Sequence, residues 1–488
     1  TNHGKIGFDP WLHSVDEIEQ YKRSMENTEI ILQATQNLVD IIWKDQPSAP
    51  TAKAFQYEDK FAGVTQSHKR KTLSKELKEN GNSAAVITLP EGIAWLLNMR
   101  GGDVEHLPIV QAFAILHSNN EVDIFVDKTK VENLAKHFGK GIHIYNENDF
   151  LQHLRKLTGK VCIDKSSLPF AAYQSLIASK ATLDPRGDIT ALPKACKNEI
   201  ELSRARDAHL IDAIAMCKFL HWLNSQPLGM LTEIDLVIKL ESFRLANPEF
   251  YDISFETICA SGPNAALPHY RVNYGSNRTI KNGDVILVDS GGQYKSGTTD
   301  ITRTTAFGQV SSEIKRAFTL VLKGMISISK LRFPKGMAGC DLDAFARVFL
   351  WSEGLDFAHG TGHGVGQFLS VHEGPQRLSR TSNIPFKAGM IISNEPGFYK
   401  EGHFGIRIEN LLAITKAPKL ENSVIDEMFV FETLNFVPID KALIEKDLMS
   451  KDEIAWLNDY HSECRQKIRE YLEPNEKIWL DRATEEIK

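Results

Sequence analysis

Four acidic residues and one histidine lie in short, distinctive segments of the second half of the chain: Asp289, Asp300, His363, Glu395 and Glu409. Four carboxylates balance the positive charge of two divalent cations, and a bound divalent cation lowers the pKa of water to about 7. Hydroxide then becomes available at neutral pH. These residue types therefore predict a two-metal hydrolytic site. A ligand set rich in oxygen, with one imidazole and no thiolate, favours harder ions such as Mn²⁺.

The first two of these carboxylates lie in a region patterned as β-strand. Asp289 follows the apolar run 285–288, and an unpaired carboxylate at the end of a buried strand is costly. Asp300 comes later in an alternating run, in which Thr298, Asp300 and Thr302 are expected to share one strand face. Alone, either residue is more simply a turn or cap carboxylate. Two adjacent strands would bring Asp289 and Asp300 together.

The glycine-rich segment HGTGHGVG contains His359 and His363, and His372 follows it in VHEGP. The spacing of the first two histidines suits a helix, but the glycines between and after them argue against one. Glycine lets the backbone approach a ligand closely. The segment does not satisfy G-x-G-x-x-G, so a dinucleotide-binding loop is not supported. A lone histidine is usually structural, whereas this group indicates a ligand site.

The last two carboxylates lie beside other strand-like runs. Glu395 follows the run GMIIS and precedes Pro396 and Gly397, which predicts an abrupt turn. Arg407 and Glu409 are two residues apart in GIRIENLL, so a strand there would point both side chains the same way. An arginine beside a metal-bound carboxylate can orient it. The alternative for this pair is an ordinary cross-strand ion pair.

Hydrophobic periodicity and turn signals predict the elements that position these residues. Residues 83–89 have the pattern of a buried strand within an α/β domain that spans 51–190. Residues 198–224 predict a long helix, and β patterns at about 251–310 and 384–415 alternate with helical segments. The fold class is therefore α+β in the part of the chain that carries the acidic residues.

Two capping signatures predict helix starts, one at Thr232 with Asp235 and one at Ser450 with Glu453. The second of these opens a tail helix. Its apolar face is expected to contain Ile454, Leu457, His461, Cys464 and Ile468. Such a helix would cover the core or join a partner subunit.

The bulk composition is that of a globular protein, with 42% hydrophobic and 25% charged residues and a net charge of −6. This balance indicates neither a nucleic-acid nor a membrane partner. No apolar run approaches the roughly 20 residues that span a bilayer, and no secretory signal pattern opens the chain. A cytoplasmic location is expected. The six cysteines lack metal-site spacing and are expected to be free thiols.

The ordered set LVDSG, GTTDITRT, HGTGHGVG, NEPGFY and GIRIEN resembles the pita-bread metallopeptidases and, within them, the aminopeptidase P family of the cytosolic three-domain type. The segments SGPNAALPHY, LNMRGGDVEHLPI and IAWLNDYHSECR extend the resemblance over the chain. It implies a pita-bread catalytic domain at 191–440 after a creatinase-N-like α/β domain at 51–190. Residues 1–50 would be the C-terminal remnant of a first α/β domain plus a linker, and 441–488 a helical extension. The family would carry about one further domain's worth of chain ahead of Thr1.

The resemblance also implies a role for each metal ligand. Asp289 would bind one ion, His363 and Glu395 the other, and Asp300 and Glu409 both. A bridging hydroxide would attack the scissile carbonyl while Glu395 helps to move its proton. The preferred metal of the family is manganese, with Zn²⁺ and Co²⁺ as alternatives.

Three histidines receive substrate-site roles from the resemblance, and Arg407 keeps the orienting role that its place two residues before Glu409 indicates. His269, His359 and His372 would position the peptide and stabilise the oxyanion and the leaving nitrogen, and Arg407 would support the ligands. The implied reaction releases the N-terminal residue from peptides whose second residue is proline. A bond to proline is a tertiary amide without an N–H, so its hydrolysis requires a pocket shaped for the ring. The resemblance further implies a homodimer.

Four other functions are alternatives. A prolidase of the same fold would cut only Xaa-Pro dipeptides, and a methionine aminopeptidase would have a shorter chain without large leading domains. A non-enzymatic pita-bread binding module or a creatinase-type hydrolase would lack part of the ligand set. The domain layout favours aminopeptidase P over prolidase, and the presence of all five ligand candidates with the three histidines argues against the binding module and the creatinase type.

Overall fold

The chain divides into two compact units, residues 1–194 and 195–488, and the computed structural model describes residues 3–227 and 229–488. Each unit combines helices with β-sheets. The α+β class is confirmed. The division into four segments at residues 50, 190 and 440 stays a prediction.

The first unit contains helices and strands, and its strands are two to six residues long. Its strands are β1 (His3–Phe8), β2 (Glu29–Ala34), β3 (Phe55–Gln56), β4 (Ala84–Ile87), β5 (Met99–Arg100), β6 (Phe113–His117), β7 (Val122–Phe125), β8 (Ile142–Tyr145), β9 (Thr158–Cys162) and β10 (Lys180–Asp184). Its helices are α1 (Val15–Ser24), α2 (Leu38–Ile42), α3 (Asp59–Ala62), α4 (Gln66–Glu79), α5 (Pro90–Leu96), α6 (Lys128–Val131), α7 (Ala135–Phe138), α8 (Phe150–Leu154), α9 (Phe170–Ile177) and α10 (Ala191–Ala195), with 3₁₀ turns at Glu132–Leu134 and Glu147–Asp149.

A six-stranded mixed sheet in the order β10-β9-β4-β6-β7-β8 forms the centre of the first unit. Strand β4 is buried at all four positions, as the apolar run 83–89 predicts. Phe125 and Phe150 belong to the core beside this sheet, and Val15 of α1 lies in the same cluster. The helix near the start of the chain therefore shares the core of the sheet that follows it.

The second unit has longer elements. Its helices are α11 (Glu199–Asn224), α12 (Glu233–Leu245), α13 (Ser312–Ser329), α14 (Gly339–Trp351), α15 (Lys451–Ile468) and α16 (Pro474–Ala483), with 3₁₀ turns at Gly262–Ala266, Lys441–Leu443, Lys446–Leu448 and Arg469–Tyr471. Its strands are β11 (Phe250–Ile253), β12 (Ile258–Ser261), β13 (Asp284–Ser290), β14 (Gly292–Tyr294), β15 (Gly297–Thr298), β16 (Ile301–Phe307), β17 (Arg332–Pro334), β18 (Gly362–Gly364), β19 (Glu373–Leu378), β20 (Ile391–Asn394), β21 (Gly397–Lys400), β22 (Phe404–Arg407), β23 (Asn410–Lys416) and β24 (Met428–Thr433).

The predicted caps are present at the starts of two helices. Thr232 and Asp235 form a reciprocal capping box at α12, and Ser450 and Glu453 form one at α15. A third box, at Asn198, starts the long helix α11. Each box satisfies backbone N–H groups that a helix start leaves without partners.

Two sheets provide the strands that carry the candidate ligands. One has the order β12-β13-β16, and the other is six-stranded, in the order β17-β24-β23-β20-β18-β19. Helix α13 packs its apolar face against one core cluster, together with Leu457 and Cys464 of α15. The tail helix therefore covers the core of the unit, one of the two roles expected for it.

Candidate metal centre

Asp289 lies near the end of β13, where it is directly opposite Thr302 of β16. The residue is buried, as its place after an apolar run predicts. One of its oxygens, Oδ2, accepts a hydrogen bond from Nη2 of Arg407 at 2.5 Å. This charge-assisted bond holds the carboxylate in place and leaves its other oxygen for a further partner.

Asp300 lies in the connection between β15 and β16, not within one continuous strand. The expectation of a single alternating strand from Thr298 to Thr302 is wrong, because the chain breaks its pairing at Thr299 and Asp300. The backbone carbonyl of Asp300 accepts a hydrogen bond from Asn435 Nδ2 at 3.0 Å. Its side chain is nevertheless placed beside Asp289, as expected.

Glu409 lies between β22, which ends at Arg407, and β23, which begins at Asn410. The expectation that Arg407 and Glu409 share one strand is wrong for this reason. Glu409 is held by Thr302, whose hydroxyl donates to Oε2 at 2.8 Å and whose carbonyl accepts from the Glu409 N–H at 3.1 Å. Arg407 instead orients Asp289.

His363 is the central residue of β18. Its Nδ1–H donates to the carbonyl of Gly364 at 2.9 Å, which leaves Nε2 as the ligand atom. Nε2 lies 3.6 Å from Asp300 Oδ2 and 3.3 Å from Glu395 Oε1. A Cβ at Gly362 would meet the Ser393 carbonyl oxygen at 1.9 Å, so glycine is needed for this close strand packing.

Glu395 follows β20 directly, as the run GMIIS predicts. Its backbone N–H donates to the Thr361 carbonyl at 2.8 Å. The hydroxyl of Ser393 donates to Oε1 of Glu395 at 2.9 Å and accepts from the N–H of His363 at 2.9 Å. A single serine thus positions two of the candidate ligands.

The five ligand candidates line one cleft with a volume of about 430 Å³. We call it the metal-site cleft. Within it, ligand atoms of three overlapping triads lie within 4.8 Å of one another: Asp289, Asp300 and Glu409; His363, Glu395 and Glu409; and Asp300, His363 and His372. Over residues 3–227 and 229–488, these triads are the clusters whose geometry suits a metal ion.

The acidic side chains of the metal-site cleft have unsatisfied oxygens. Oδ1 of Asp289, Oδ1 of Asp300 and Oε1 of Glu409 are buried and have no hydrogen-bond partner among the described residues. Buried polar atoms are nearly always paired, and a buried anion without compensation is costly. A pair of divalent cations would satisfy these oxygens, so the donor set fits two metal ions.

Burial also shifts the ionisation of these groups. It raises the pKa of Asp300 well above its usual range, and the nearby carboxylate of Glu409 adds to that effect. Burial likewise raises the pKa of Glu409 well above its usual range, and it raises the pKa of Glu395 to about 7. Burial lowers the pKa of His363 to about 3, so its imidazole is neutral and able to bind metal.

The three remaining histidines also line the metal-site cleft. His372 lies with its ring 4.3 Å from that of His363, centroid to centroid. His269 is exposed on the loop after the turn Gly262–Ala266. His359 is half-buried, and burial lowers its pKa to about 4.

Sequence reasoning missed several residues that hold the ligands. Tyr399 accepts a hydrogen bond from Arg407 at 2.6 Å and contacts Nε2 of His359 at 2.9 Å, and Thr302 and Ser393 support the acidic residues. All three stand inside or beside the motifs that drew attention to the ligands. Their hydroxyl groups, which can hydrogen-bond to carboxylates and imidazoles, are the feature from which these roles could be predicted.

Three family descriptions match the chain in order. Residues 45–201 match the creatinase/prolidase N-terminal domain, residues 203–416 match metallopeptidase family M24, and residues 427–487 match the C-terminal region of peptidase M24. Aminopeptidase P1 of Arabidopsis thaliana is 35% identical over 99% of this chain and 83% of its own length. The chain belongs to the aminopeptidase P family of M24 metallopeptidases. A probable Xaa-Pro aminopeptidase P of Aspergillus fumigatus is 37% identical over 99% of this chain and 77% of its own length.

Solved structures of this family and fold are similar as well. An X-prolyl aminopeptidase from Caenorhabditis elegans, described as a cytosolic enzyme with a di-nuclear active site, has a TM-score of 0.94 at 32% identity and covers 100% of this chain and 82% of its own. An Xaa-Pro dipeptidase from Bacillus anthracis has a TM-score of 0.61 at 23% identity, with 77% of this chain and 99% of its own covered. The second likeness shows the fold alone.

Proposed function

We propose that this protein is a dinuclear-metal Xaa-Pro aminopeptidase, which hydrolyses the bond between an N-terminal residue and a penultimate proline. The observation that carries the proposal is the set of overlapping ligand triads in the metal-site cleft, in which three buried carboxylate oxygens have no partner in the described part of the chain. The names of the relatives support the substrate class.

The ligand triads support one division of the two ions. Asp289 would hold one ion, His363 and Glu395 would hold the other, and Asp300 and Glu409 would contact both. Asp300, Glu409 and His363 each belong to two of the triads. A carboxylate has two oxygens and can contact two ions, whereas His363 offers only Nε2, because its Nδ1–H donates to the Gly364 carbonyl. Oxygen-rich ligation favours Mn²⁺ among the divalent ions, with Zn²⁺ and Co²⁺ as alternatives.

The bound ions would supply Lewis acidity to the scissile carbonyl and a bridging hydroxide as nucleophile, because they lower the pKa of water to about 7. Glu395 would receive and release the proton at its carboxylate. A carboxylate held within reach of the nucleophile is suited to this general-base role. The hydroxyl of Ser393 donates a hydrogen bond to Oε1 and thereby fixes the orientation of the Glu395 carboxylate.

A chain of hydrogen bonds connects the ligands to the substrate histidines. Arg407 donates to Asp289 at 2.5 Å and to Tyr399 at 2.6 Å, and the Tyr399 hydroxyl then lies 2.9 Å from Nε2 of His359. Nδ1 of His359 donates to the carbonyl of Gly360 at 2.7 Å, so Nε2 is the acceptor for Tyr399. This chain would hold His359 in one tautomer beside the peptide.

His269 and His372 would contact the substrate directly. Both line the metal-site cleft and both are exposed to solvent. Imidazole N–H groups there can donate to the developing oxyanion and to the leaving nitrogen of proline. We assign the two roles to this pair of histidines without dividing them between the two residues.

We also propose four structural segments: a remnant and linker at 1–50, a middle domain at 51–190, a catalytic domain at 191–440 and a helical extension at 441–488. The matched ranges 45–201, 203–416 and 427–487 fall close to these bounds. Limited proteolysis would test the bounds, since exposed linkers are cleaved first.

A cytoplasmic homodimer is the proposed state of the enzyme. Helix α14 exposes Phe345, Val348 and Trp351 along one face, which a second copy of the chain would cover. Sedimentation equilibrium should give twice the chain mass, and Trp351→Glu should give the chain mass. A monomer at micromolar concentration would contradict the proposal.

None of the helices in the described ranges has the length and apolar character needed to cross a membrane.

Cleavage of Arg-Pro-Pro compared with Arg-Pro, after chelation and Mn²⁺ add-back, tests the proposed activity. We expect release of arginine from the tripeptide, restored by Mn²⁺. Cleavage of the dipeptide alone would favour prolidase, which has to hold a free carboxylate directly on the proline. Cleavage of neither peptide by the metal-loaded protein would contradict both.

A further inference from the structure

One cation in the metal-site cleft has no partner among the residues that the structure describes. Arg377 of β19 lines the cleft and is exposed, and it makes no side-chain hydrogen bond or ion pair with the residues that the structure describes. The other arginines of the cleft are engaged. Arg407 pairs with Asp289, and Arg271 donates to the Glu256 carbonyl at 2.5 Å.

Strand register places Arg377 beside the metal ligands. Its Cα is directly opposite that of His363 in the antiparallel pair β18–β19. Residues directly opposite each other point to the same face of a sheet, with Cβ atoms about 5 Å apart. The guanidinium of Arg377 therefore projects from the same face as the imidazole of His363, toward the same cleft.

We propose that Arg377 binds a carboxylate on the third residue of the substrate, one residue beyond the proline. This inference rests on the proposed Xaa-Pro aminopeptidase function and names a preference within it. Short peptides that end at the third residue, or peptides with an acidic third residue, would be the favoured substrates.

The charge of the cation sets the direction of the peptide. A protonated N-terminal amine is repelled by a guanidinium, so Arg377 belongs to the side of the cleft that holds the leaving peptide. The carbonyl to be cleaved must lie at the ligand cluster that contains His363. Each peptide residue spans at most about 3.6 Å, so the third residue lies roughly two such steps away, within reach of an extended arginine.

Arginine is also suited to this ligand by its shape. Its planar guanidinium donates two parallel hydrogen bonds to one carboxylate, whereas lysine acts as a point charge. The carboxylate has two sources, the C-terminus of a tripeptide or the side chain of an acidic third residue. Both present the same group to Arg377.

Steady-state kinetics on matched peptides, using the Mn²⁺-loaded full chain, test the inference. We expect kcat/KM for Arg-Pro-Pro to exceed that for its C-terminal amide by about tenfold, since hydrogen bonds between charged groups are worth that factor or more. The difference should lie in KM, because the contact is made equally in the ground state and the transition state. Arg-Pro-Glu amide should likewise exceed Arg-Pro-Gln amide.

Three variants separate the role of Arg377 from general charge. Arg377→Gln should bring both ratios to about one, while Arg377→Lys keeps part of them. Arg469→Gln removes an exposed arginine of the same unit that pairs with Asp481 outside the metal-site cleft, and it should keep the wild-type ratios. Loss of the first ratio alone would assign the contact to the C-terminus, and loss of the second alone to the acidic side chain.

Equal kcat/KM for acid and amide in both wild-type pairs would overturn the inference and leave the proposed function standing. So would ratios that Arg377→Gln does not change. Faster cleavage of Arg-Pro than of Arg-Pro-Pro would place the bound carboxylate on the proline and overturn the assignment to the third residue. Wild-type protein that cleaves none of the peptides would overturn the proposed function, and the inference with it.

Discussion

Two buried clusters in the second unit hold acidic side chains in opposite ways. In the first, both oxygens of Asp212 face Arg244, with Nε and Nη2 at 2.8 and 3.1 Å, and Tyr294 donates a further hydrogen bond at 2.8 Å. In the second, the metal-site cleft, three acidic residues each keep one buried oxygen without a partner in the described chain. Both oxygens of Asp212 have partners among the described residues, whereas the three oxygens of the cleft have room for a cation as theirs.

The difference separates a structural ion pair from a binding site. A buried carboxylate that the protein neutralises contributes to the fold, and removal of its partner leaves an uncompensated charge. A group of buried carboxylates whose negative charge exceeds the local positive charge is stable only when ligands or protons supply the balance. Substitutions, metal addition and pH changes should therefore affect the two clusters differently.

Substitution of Glu395 by Gln should break the chemistry of the metal-site cleft without breaking its structure. We expect kcat to fall by about 10³ or more, because the side chain can no longer accept a proton. Circular dichroism should show an unchanged fold. Normal turnover of Arg-Pro-Pro by this variant would contradict the assigned mechanism.

The two clusters should respond in opposite directions to the same change of Asp to Asn. Asp212→Asn should lower the free energy of unfolding by about 3 kcal/mol, because it leaves Arg244 buried and unpaired. Asp300→Asn should not lower it in the metal-free protein, because the change relieves repulsion with neighbouring carboxylates.

Urea unfolding in the presence of a chelator measures both values on the same footing. A loss of stability in Asp300→Asn as large as that in Asp212→Asn would show that the carboxylates of the cleft are structural, and it would remove the contrast between the clusters.

Metal binding should stabilise the second cluster alone. Addition of Mn²⁺ at 100 times its dissociation constant should raise the free energy of unfolding of the wild type by about 2.7 kcal/mol for each ion bound, through mass action. Thermal unfolding of Asp300→Asn should not respond to the same addition, whereas Asp212→Asn should respond as the wild type does. An equal response in all three would place the metal elsewhere.

His461 of α15 provides a pH test that does not depend on the ligands. Burial lowers its pKa to about 3, and its Nε2 accepts a hydrogen bond from the Ile439 N–H at 3.1 Å. The unfolded chain therefore binds the proton more readily, so the contribution of His461 is present above pH 6.5 and is lost as the pH falls toward 3. At pH 5.5 the loss relative to pH 7.5 should be about 1.5 kcal/mol, since one pKa unit corresponds to about 1.4 kcal/mol.

The change of His461 to Gln should remove this part of the pH dependence, which urea unfolding at the two pH values measures. If wild type and variant lose the same stability between those values, the neutral state assigned to His461 is wrong.

Arg303 is a cation that contacts the backbone of the candidate ligand Glu409. It donates to the Glu409 carbonyl at 2.6 Å and to the hydroxyl of Tyr460 at 2.8 Å, so it joins the backbone of a ligand to the tail helix. Tyr460→Phe should cost about 1 kcal/mol of stability, the usual value of one buried hydrogen bond. Unchanged urea unfolding would show that the remaining acceptors of Arg303 compensate fully.

The sequence predicted the parts of this site that depend on local pattern. Asp289 and Glu395 stand at the ends of apolar runs, and both lie at or just beyond the ends of strands. The boxes at Thr232 and Ser450 mark helix starts because their side chains bond within one turn. Local spacing carries such information directly.

Features that depend on strand register were beyond sequence reasoning. The pattern predicts Arg407 and Glu409 on one strand, but a strand end falls between them, and Arg407 of β22 contacts Asp289 of β13, a strand of another sheet. Arg377 is opposite His363 only because β18 and β19 pair in one register. A shift of one residue would point it to the other face, and nothing in the letters fixes that choice.

The central claim is that the metal-site cleft binds two catalytic ions per chain. Metal-free protein should be titrated with Mn²⁺ while bound metal, by elemental analysis after gel filtration, and release of arginine from Arg-Pro-Pro are followed together. We predict two equivalents of bound Mn²⁺ per chain, with turnover rising to its full value as the second binds. Turnover that persists in chelator without bound metal, or binding of a single ion at full activity, would contradict the account.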